Sequence, residues 1–212
     1  MKIREVNLLF PEIVFTKILD QISDDELNEL NNNIKNLNYH STAALQNRKH
    51  LSASSDNLYV FELPEFKKLA EIIKKEFYNF KNKVLKYTYN DFVFTTSWAT
   101  KAEPGQESDY HNHSNCMYSG IFYTNVKKNS GNLILNDMPK TGFNLKLSEQ
   151  LDYNSQSVKI TPFNKMVIFF PSHLHHKIEF NSSDITRHSI AFNFIPVGKL
   201  GYHDSQLILG KW

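Results

Sequence analysis

The amino-acid sequence predicts an α+β fold in which a β-sandwich or barrel is buttressed by helices. Two observations support this prediction. Over the first third of the chain, apolar residues recur with the three- and four-residue spacing of a helix. From about Tyr87 onward the period changes to two, and short β-branched or aromatic runs alternate with Gly, Asn, Pro and Ser. Helices followed by many short strands are typical of this fold class.

Length and composition exclude several classes of protein. The 212 residues suit one domain, 1–212, and 24 Lys+Arg against 22 Asp+Glu leave a net charge of only +2. This balance gives no electrostatic reason to expect a nucleic-acid partner. A single cysteine, Cys116, excludes an intramolecular disulfide framework. Without an apolar run of roughly 18–20 residues or a signal peptide, we expect a cytoplasmic protein with no membrane partner.

Within the first part of the chain, two helices are expected. Ser23 and Glu26 form a capping box, which predicts the start of the first helix. Pro64 precedes the second. A polar loop at 39–62 separates them, with a short strand expected at 58–61. The predicted apolar faces are Leu27, Leu30, Ile34 and Leu37 for the first helix, and Phe66, Leu69, Ile73, Phe77, Phe80 and Val84 for the second.

The rest of the chain is predicted to form the β-core. We therefore expect residues 1–86 to be mainly a helical buttress and residues 87–212 to hold the strands. The strand-like runs are 92–94, 118–123, 133–135, 158–160, 167–170 and 190–194. No repeat or linker divides the chain.

Six of the nine histidines fall within residues 111–188, and two of them form an H-x-H pair. Residues two apart in an extended segment point to the same side, so His111 and His113 can aim both imidazoles at one metal ion. Asp109 shares that face if the extended segment begins early enough. Imidazole and carboxylate ligands suit iron, zinc, manganese or copper.

A second histidine cluster lies downstream, where the apolar strand ending at Phe170 runs into a Pro-initiated turn. It holds His173, His175 and His176. Ligands at such a turn, facing a ligand pair from another strand, build a metal site from distant parts of the chain. For any one of the three, a solvated turn histidine is the alternative.

Arg187 and Ser189 open a later strand and share one of its faces. An Arg guanidinium that holds a carboxylate through two hydrogen bonds, assisted by a hydroxyl, forms a pocket for a dicarboxylic acid. The alternative is a solvent-facing or salt-bridged Arg at a strand start. Its position 11 residues after His176 favours the pocket.

In order and spacing, these stretches resemble the Fe(II)/2-oxoglutarate dioxygenases, and within them a prolyl-hydroxylase-like group of 2-oxoglutarate–Fe(II) oxygenases known from bacteria and phages. That group carries H-x-H, S-G-V-Y-Y, a D-P segment, F-P-S-x-L-x-H and R-x-S-x-x-F-N. The matching stretches here are 111–113, 119–123, 137–139, 170–176 and 187–193. The resemblance implies a double-stranded β-helix (jelly-roll) core and, for a phage protein, the host cytoplasm as its location.

The resemblance also implies roles for individual residues. His111 matches the first iron ligand and His176 the distal one, with His175 as the rival for the distal place. Arg187 matches the residue that pairs with the C5 carboxylate of 2-oxoglutarate, and Ser189 is its hydroxyl partner. Tyr123 is a further candidate for contacting the cosubstrate, with core packing as the alternative.

One departure from the broad superfamily concerns the third ligand. The superfamily has Asp or Glu where this chain has His113. Three alternatives follow: His113 completes a three-histidine site, Asp109 or Asp137 supplies a carboxylate, or water or substrate takes the position. We favour His113, because the spacing places it beside His111.

The implied function is an Fe(II)- and 2-oxoglutarate-dependent dioxygenase that hydroxylates a substrate. In this family type a ferryl species abstracts hydrogen and hydroxyl rebounds, while O2 and 2-oxoglutarate are consumed and succinate and CO2 are released. No catalytic side chain beyond the metal ligands is needed. The expected substrate is a peptidyl side chain, with a small molecule or a nucleobase as alternatives. Rival interpretations are a cupin-like metal enzyme without 2-oxoglutarate, and a non-enzymatic binding or structural protein that retains a metal.

Overall fold

The computed structural model describes residues 11–40, 52–87, 90–136, 146, 148–149, 151, 154–155 and 157–210. Its helices are α1 (Asp24–Lys35) and α2 (Lys67–Phe80). Its strands are β1 (Phe15–Ile18), β2 (Tyr39–His40), β3 (Ala53–Ser55), β4 (Asp91–Ala102), β5 (Tyr118–Asn125), β6 (Leu133–Asn136), β7 (Ser157–Ile160), β8 (Met166–Pro171), β9 (His175–Ile178), β10 (Arg187–Leu200) and β11 (Leu207–Leu209). Within these ranges, no helix is long and apolar enough to cross a membrane.

The strands form two antiparallel sheets. The major sheet has the order β1-β8-β5-β10-β4-β3-β2, and β11 pairs with the end of β10. The minor sheet has the order β7-β6-β9. A cluster of buried side chains joins the two sheets, with Ile121, Tyr123 and Phe170 from the major sheet against Leu133 and Leu135 from the minor one. The space between the sheets is therefore the interior of a sandwich.

Both helices cover the opposite face of the major sheet. Their buried side chains pack against the side chains of β8 and β10 that point away from the sandwich interior. The Phe77 ring of α2 stacks on Phe194 with ring centroids 4.0 Å apart, and it meets Phe169 edge-on at 5.4 Å. This aromatic layer shields one face of the sheet from water and leaves the other face to line the interior.

The helix predictions are confirmed at their starts. At α1 the Ser23 hydroxyl accepts a hydrogen bond from the Glu26 amide at 3.2 Å, and the Glu26 carboxylate accepts from the Ser23 amide at 2.8 Å. Both halves of the capping box are therefore formed. The predicted face of α1 is buried, except that Leu37 lies beyond the helix and is half-buried.

The predicted face of the second helix is wrong at Val84, which is 50% exposed. The chain leaves α-helical geometry at Lys81 and forms a π turn over Lys81–Leu85. The i→i+5 pairing of a π turn changes the angular phase of the residues that follow. Lys81 is buried instead, and its Nζ donates to the carbonyl oxygens of Tyr87 and Asn90.

Each of the six predicted runs lies within a strand, and β4 and β10 extend well beyond theirs. The short strand expected at 58–61 is wrong: Val60–Glu62 forms a 3-10 turn, with Tyr59 in an isolated bridge to Ser97. The Ser97 hydroxyl accepts from the Phe61 amide at 2.9 Å, so a side chain takes the place of a strand partner. The first 86 residues also supply β1, β2 and β3 to the major sheet.

Gly120, in the middle of β5, is required by close packing. A Cβ atom at this position would overlap the Phe192 ring and lie 2.8 Å from the carbonyl oxygen of Ile168. Phe192 belongs to the aromatic layer beneath the helices and Ile168 belongs to the neighbouring strand. A side chain here would therefore separate the sheet from the layer that covers it.

We expect Gly120→Ala to lower the free energy of unfolding by about 1–3 kcal/mol, the usual effect of overpacking a core. Gly210→Ala is the matched control, since no described atom lies within 4 Å of a Cβ there. Its effect should stay within about 0.5 kcal/mol. Urea denaturation measures both, and equal midpoints for the two variants would contradict the close packing at Gly120.

Candidate metal centre and polar pocket

Three histidines from distant parts of the chain meet inside the sandwich. His111 lies before β5 and pairs with His176 of β9 through two backbone hydrogen bonds of 3.0 and 2.8 Å. The His113 amide donates to the Ser172 carbonyl at 3.0 Å, which anchors the H-x-H segment to the end of β8. The potential ligand nitrogens of the three rings all lie within 4.8 Å of one another. Such a group can hold one metal ion.

Hydrogen bonds orient all three rings in the same way. His111 Nδ1 donates to the Asp109 carbonyl at 2.8 Å, and His176 Nδ1 donates to the Leu174 carbonyl at 3.0 Å. His113 Nδ1 donates to Asn193 Oδ1 at 2.7 Å. Carbonyl oxygens only accept, so each Nδ1 carries the proton and each Nε2 keeps its lone pair for a metal.

Burial keeps two of these imidazoles neutral. It lowers the pKa of His176 to about 3, and the nearby His111 adds to the effect. Burial also lowers the pKa of His113, more than its hydrogen bond to Asn193 restores. Metal binding requires the deprotonated form of the ring. At neutral pH these two rings are therefore in the state that binds a cation.

The structure distinguishes His176 from its neighbours. His175 lies on the same strand but, one residue away, points to the opposite face and is not part of the cluster. The His173 side chain is 66% exposed, and its Nε2 pairs with Glu12 at 2.9 Å. Asp109 contributes its backbone carbonyl to His111 and no ligand atom to the cluster. Asp137 lies outside the described residues.

A second polar site lies in the same interior, around Arg187. The residue is only 1% exposed, and its Nη1 donates to the Ser130 carbonyl at 3.1 Å. Ser189 stands opposite both Tyr123 and Thr100 in the strand pairing, and the hydroxyls of Ser189 and Thr100 are 2.7 Å apart. Tyr123 is fully buried. The structure therefore places the three predicted pocket residues on adjoining strands.

Two groups of this pocket, Arg187 Nε and the Tyr123 hydroxyl, are buried without a hydrogen-bond partner among the described residues. Each unpartnered buried group costs about 1–3 kcal/mol. Burial lowers the pKa of Arg187 to about 10 and raises that of Tyr123 to about 12, so both are protonated at neutral pH. Two unsatisfied donors, one of them cationic, fit a carboxylate ligand.

Thr100 is a pocket residue that the sequence analysis did not single out. Nothing in its own neighbourhood marks it, because it lies 89 positions from the Ser189 hydroxyl that it contacts. Strand pairing is the signal that could have identified Thr100. Once β4 is paired with β10, Thr100 stands opposite Ser189 and on the same face of the sheet.

The two-sheet antiparallel fold and the histidine cluster define a class of protein: a double-stranded β-helix protein with a candidate three-histidine metal site. Residues 96–193 match the sequence profile of the family described as "Putative 2OG-Fe(II) oxygenase". The matched residues include the histidine cluster, Arg187 and Asn193. Among the curated proteins, no sequence matches the chain at a significant level.

Solved structures share the fold at low sequence identity. A 2OG-Fe(II) oxygenase family oxidoreductase from Burkholderia pseudomallei superposes with a TM-score of 0.61 at 9% identity, over 86% of this chain and 84% of that one. A prolyl hydroxylase from Trichoplax adhaerens, in complex with a hypoxia inducible factor peptide fragment, gives 0.59 at 13% identity over 87% and 83%. HygX from Streptomyces hygroscopicus, with nickel, 2-oxoglutarate and hygromycin B bound, gives 0.58 at 12% over 86% and 82%. The predicted double-stranded β-helix is confirmed.

We expect His176→Ala to reduce metal affinity at least 100-fold, because it removes a buried ring from a group of three. A structural metal contributes on the order of 10 kcal/mol through all its ligands, so one ligand accounts for several kcal/mol. Anaerobic calorimetry with Fe(II), or with Co(II) as a stable substitute, measures the loss.

Two matched controls accompany this variant. His175→Ala changes the adjacent residue, and His173→Ala changes the exposed partner of Glu12. Both should bind metal within about threefold of the wild-type protein. Equal losses in His176→Ala and His173→Ala would contradict the assignment, and a greater loss in His175→Ala would move the ligand by one residue.

Proposed function

We propose that the protein is an Fe(II)- and 2-oxoglutarate-dependent dioxygenase that hydroxylates its substrate. In this proposal His111, His113 and His176 hold the iron through Nε2. The observation that carries it is the pairing of two features in one interior. Three imidazoles converge within 4.8 Å, and an unsatisfied Arg187–Tyr123 pair lies on the adjoining strands.

Arg187 and Tyr123 are proposed to receive the C5 carboxylate of 2-oxoglutarate, with Ser189 beside them. Both orphaned donors would then be satisfied by one anion, and the guanidinium would have its countercharge. The other end of the cosubstrate, its C1 carboxylate and keto oxygen, would complete the coordination of the iron. A dicarboxylic acid uses both sites at once, whereas a simple carboxylate uses only one.

The bound iron and cosubstrate supply the oxidising chemistry: O2 and 2-oxoglutarate are consumed, one oxygen atom enters a substrate C–H bond, and succinate and CO2 leave. The residues of the chain position and shield these groups. The Trp98 ring lies 5.4 Å from that of His113 and the Phe170 ring 4.8 Å from that of His176, so aromatic groups limit water at the metal. No side-chain acid or base is required.

A peptidyl side chain is the substrate that we propose first. His111 is exposed while His176 is buried, so the metal position is open to solvent on one side and closed on the other. A side chain presented by a large substrate can enter from the open side. The Trichoplax neighbour was solved with a peptide and HygX with hygromycin B, so a small molecule is the second candidate.

The rival function is a cupin-like metal enzyme that does not use 2-oxoglutarate. Such an enzyme needs the three histidines but no buried cation in the same interior. Arg187 is 1% exposed and carries an unsatisfied Nε, which is unfavourable unless an anionic ligand binds there. This observation favours the oxygenase.

Anaerobic titration with Fe(II) and then 2-oxoglutarate tests the proposal. Chelation of iron by the cosubstrate should produce a visible metal-to-ligand charge-transfer absorption, and admission of O2 should then release succinate. His176→Ala is the control and should show neither. Iron binding without the absorption would support the cupin-like alternative, and no iron binding at all would support a non-enzymatic protein.

We expect Arg187→Ala to weaken 2-oxoglutarate binding while Fe(II) affinity changes little, because the guanidinium is not a metal ligand. Loss of a buried charged pair should cost about 2–5 kcal/mol, or roughly 30- to several-thousand-fold in dissociation constant. The affinity of Arg187→Lys for 2-oxoglutarate should be intermediate, since lysine keeps the charge but cannot form the two parallel hydrogen bonds of a guanidinium. Competition with N-oxalylglycine, a 2-oxoglutarate analogue, measures both. Unchanged binding in Arg187→Ala would reject the pocket.

Tyr123→Phe separates cosubstrate contact from core packing. Because the hydroxyl is buried without a partner, its removal should raise the stability of the ligand-free protein by about 1 kcal/mol. It should also weaken 2-oxoglutarate binding about 10-fold, the value of one hydrogen bond to a charged group. Thermal unfolding with and without cosubstrate measures both effects. A stability gain without any loss of affinity would assign Tyr123 to packing alone.

A further inference from the structure

Three polar residues in the family-like stretches are neither candidate metal ligands nor members of the Arg187 pocket: Ser119 of S-G-I-F-Y, Ser172 of F-P-S and Asn193 of R-x-S-x-x-F-N. The structure brings all three to the Nδ1 side of His113. Ser119, Ser172 and Asn193 are 0%, 1% and 7% exposed, respectively. Ser119 lies on β5 and Asn193 on β10, and Ser172 directly follows β8; these three strands are neighbours in the major sheet.

Two side-chain oxygens lie at His113 Nδ1: Asn193 Oδ1 at 2.7 Å and the Ser119 hydroxyl at 2.9 Å. Asn193 Oδ1 accepts from His113 Nδ1 and from the Ser119 hydroxyl, both at 2.7 Å. The Ser119 hydroxyl can then accept from that of Ser172 at 2.9 Å. Asn193 Nδ2 donates to Thr96 Oγ1 at 3.0 Å, which holds the amide with its oxygen toward the imidazole.

We propose that Asn193 is a positioning residue for the metal centre, one that holds His113 in the tautomer with the proton on Nδ1. This inference rests on the proposed function, in which the Nε2 lone pair of His113 binds the metal. Ser119, Ser172 and Thr96 hold Asn193 in turn. The proposal gives a role to three motif residues that neither bind the metal nor face the cosubstrate pocket.

The comparison with the other two histidines supports a specific role. His111 and His176 each donate to a backbone carbonyl two residues away, so the local chain sets their tautomers. His113 instead donates to a side chain 80 positions away on β10. A carboxylate at this position would have no tautomer to set, whereas a histidine ligand needs an acceptor behind it. Asn193 supplies that acceptor.

The test is Co(II) affinity measured by calorimetry in four variants of the whole chain. Asn193→Leu removes the acceptor and should weaken binding about 10- to 100-fold, as loss of an outer hydrogen bond to a metal ligand usually does. Asn193→Asp keeps an acceptor and should remain within about threefold of the wild type. Ser172→Ala, one hydrogen bond further out, should also remain within about threefold. His113→Ala sets the scale of complete ligand loss.

Rescue by Asn193→Asp separates positioning from packing, because a packing role predicts that both substitutions are harmful. A second measurement uses the metal-free protein: long-range 1H–15N NMR of the histidine rings should show His113 protonated at Nδ1 in the wild type. If Asn193→Leu does not fold, the NMR spectrum of the wild type and the Co(II) affinity of Asn193→Asp still test the positioning role of Asn193. His113 protonated at Nε2 in the wild type would overturn the inference.

The outcomes distinguish this inference from the proposed function. A wild-type protein that binds no Co(II), or that binds it equally well without His113, overturns the metal site and the inference with it. If the wild type binds Co(II), His113→Ala weakens binding and Asn193→Leu does not, the metal site stands and the positioning role alone is overturned.

Discussion

The alternation of side chains along β10 is the constraint on which the rest of the structure depends. This strand pairs with β4 and β5 in the centre of the major sheet. One set of its side chains, including Phe192 and Phe194, enters the aromatic layer beneath the helices. The other set includes Arg187, Ser189 and Asn193, which line the interior. A strand with period two can serve a dry core and a polar site at once, and a shift of one residue would exchange them.

The burial that stabilises the fold also sets the charge state of the interior. A neutral His176 and a charged, unsatisfied Arg187 share one low-dielectric space. The first is suited to a metal cation and the second to an anion, and the buried Arg187 Nε is unfavourable while it lacks an acceptor. An interior built in this way favours a ligand pair of opposite charge, which is why the geometry supports iron together with a dicarboxylic cosubstrate.

A three-histidine centre differs electrostatically from one with a carboxylate. Three neutral rings leave the full charge of a divalent ion in place, which strengthens its attraction for an anionic cosubstrate. The same change creates a structural demand, since an imidazole must be held in one tautomer. On β10, Asn193 lies behind His113 and Arg187 lies in the polar pocket. One strand therefore carries both the residue that orients His113 and the buried cation of the polar pocket.

The sequence by itself determined the helix starts, the positions of the main strands and the two histidine clusters, because these follow from local periodicity and capping. It also placed His111 beside His113. The family motif already favoured His176 over His175, and the structure places His176 and not His175 in the cluster. Only the tertiary structure turned Val84 outward and brought Asn193 to His113. These outcomes depend on which face of a strand is buried, on a π turn and on contacts across 80 positions. No local pattern determines them, because the pairing of distant strands sets which side chains meet.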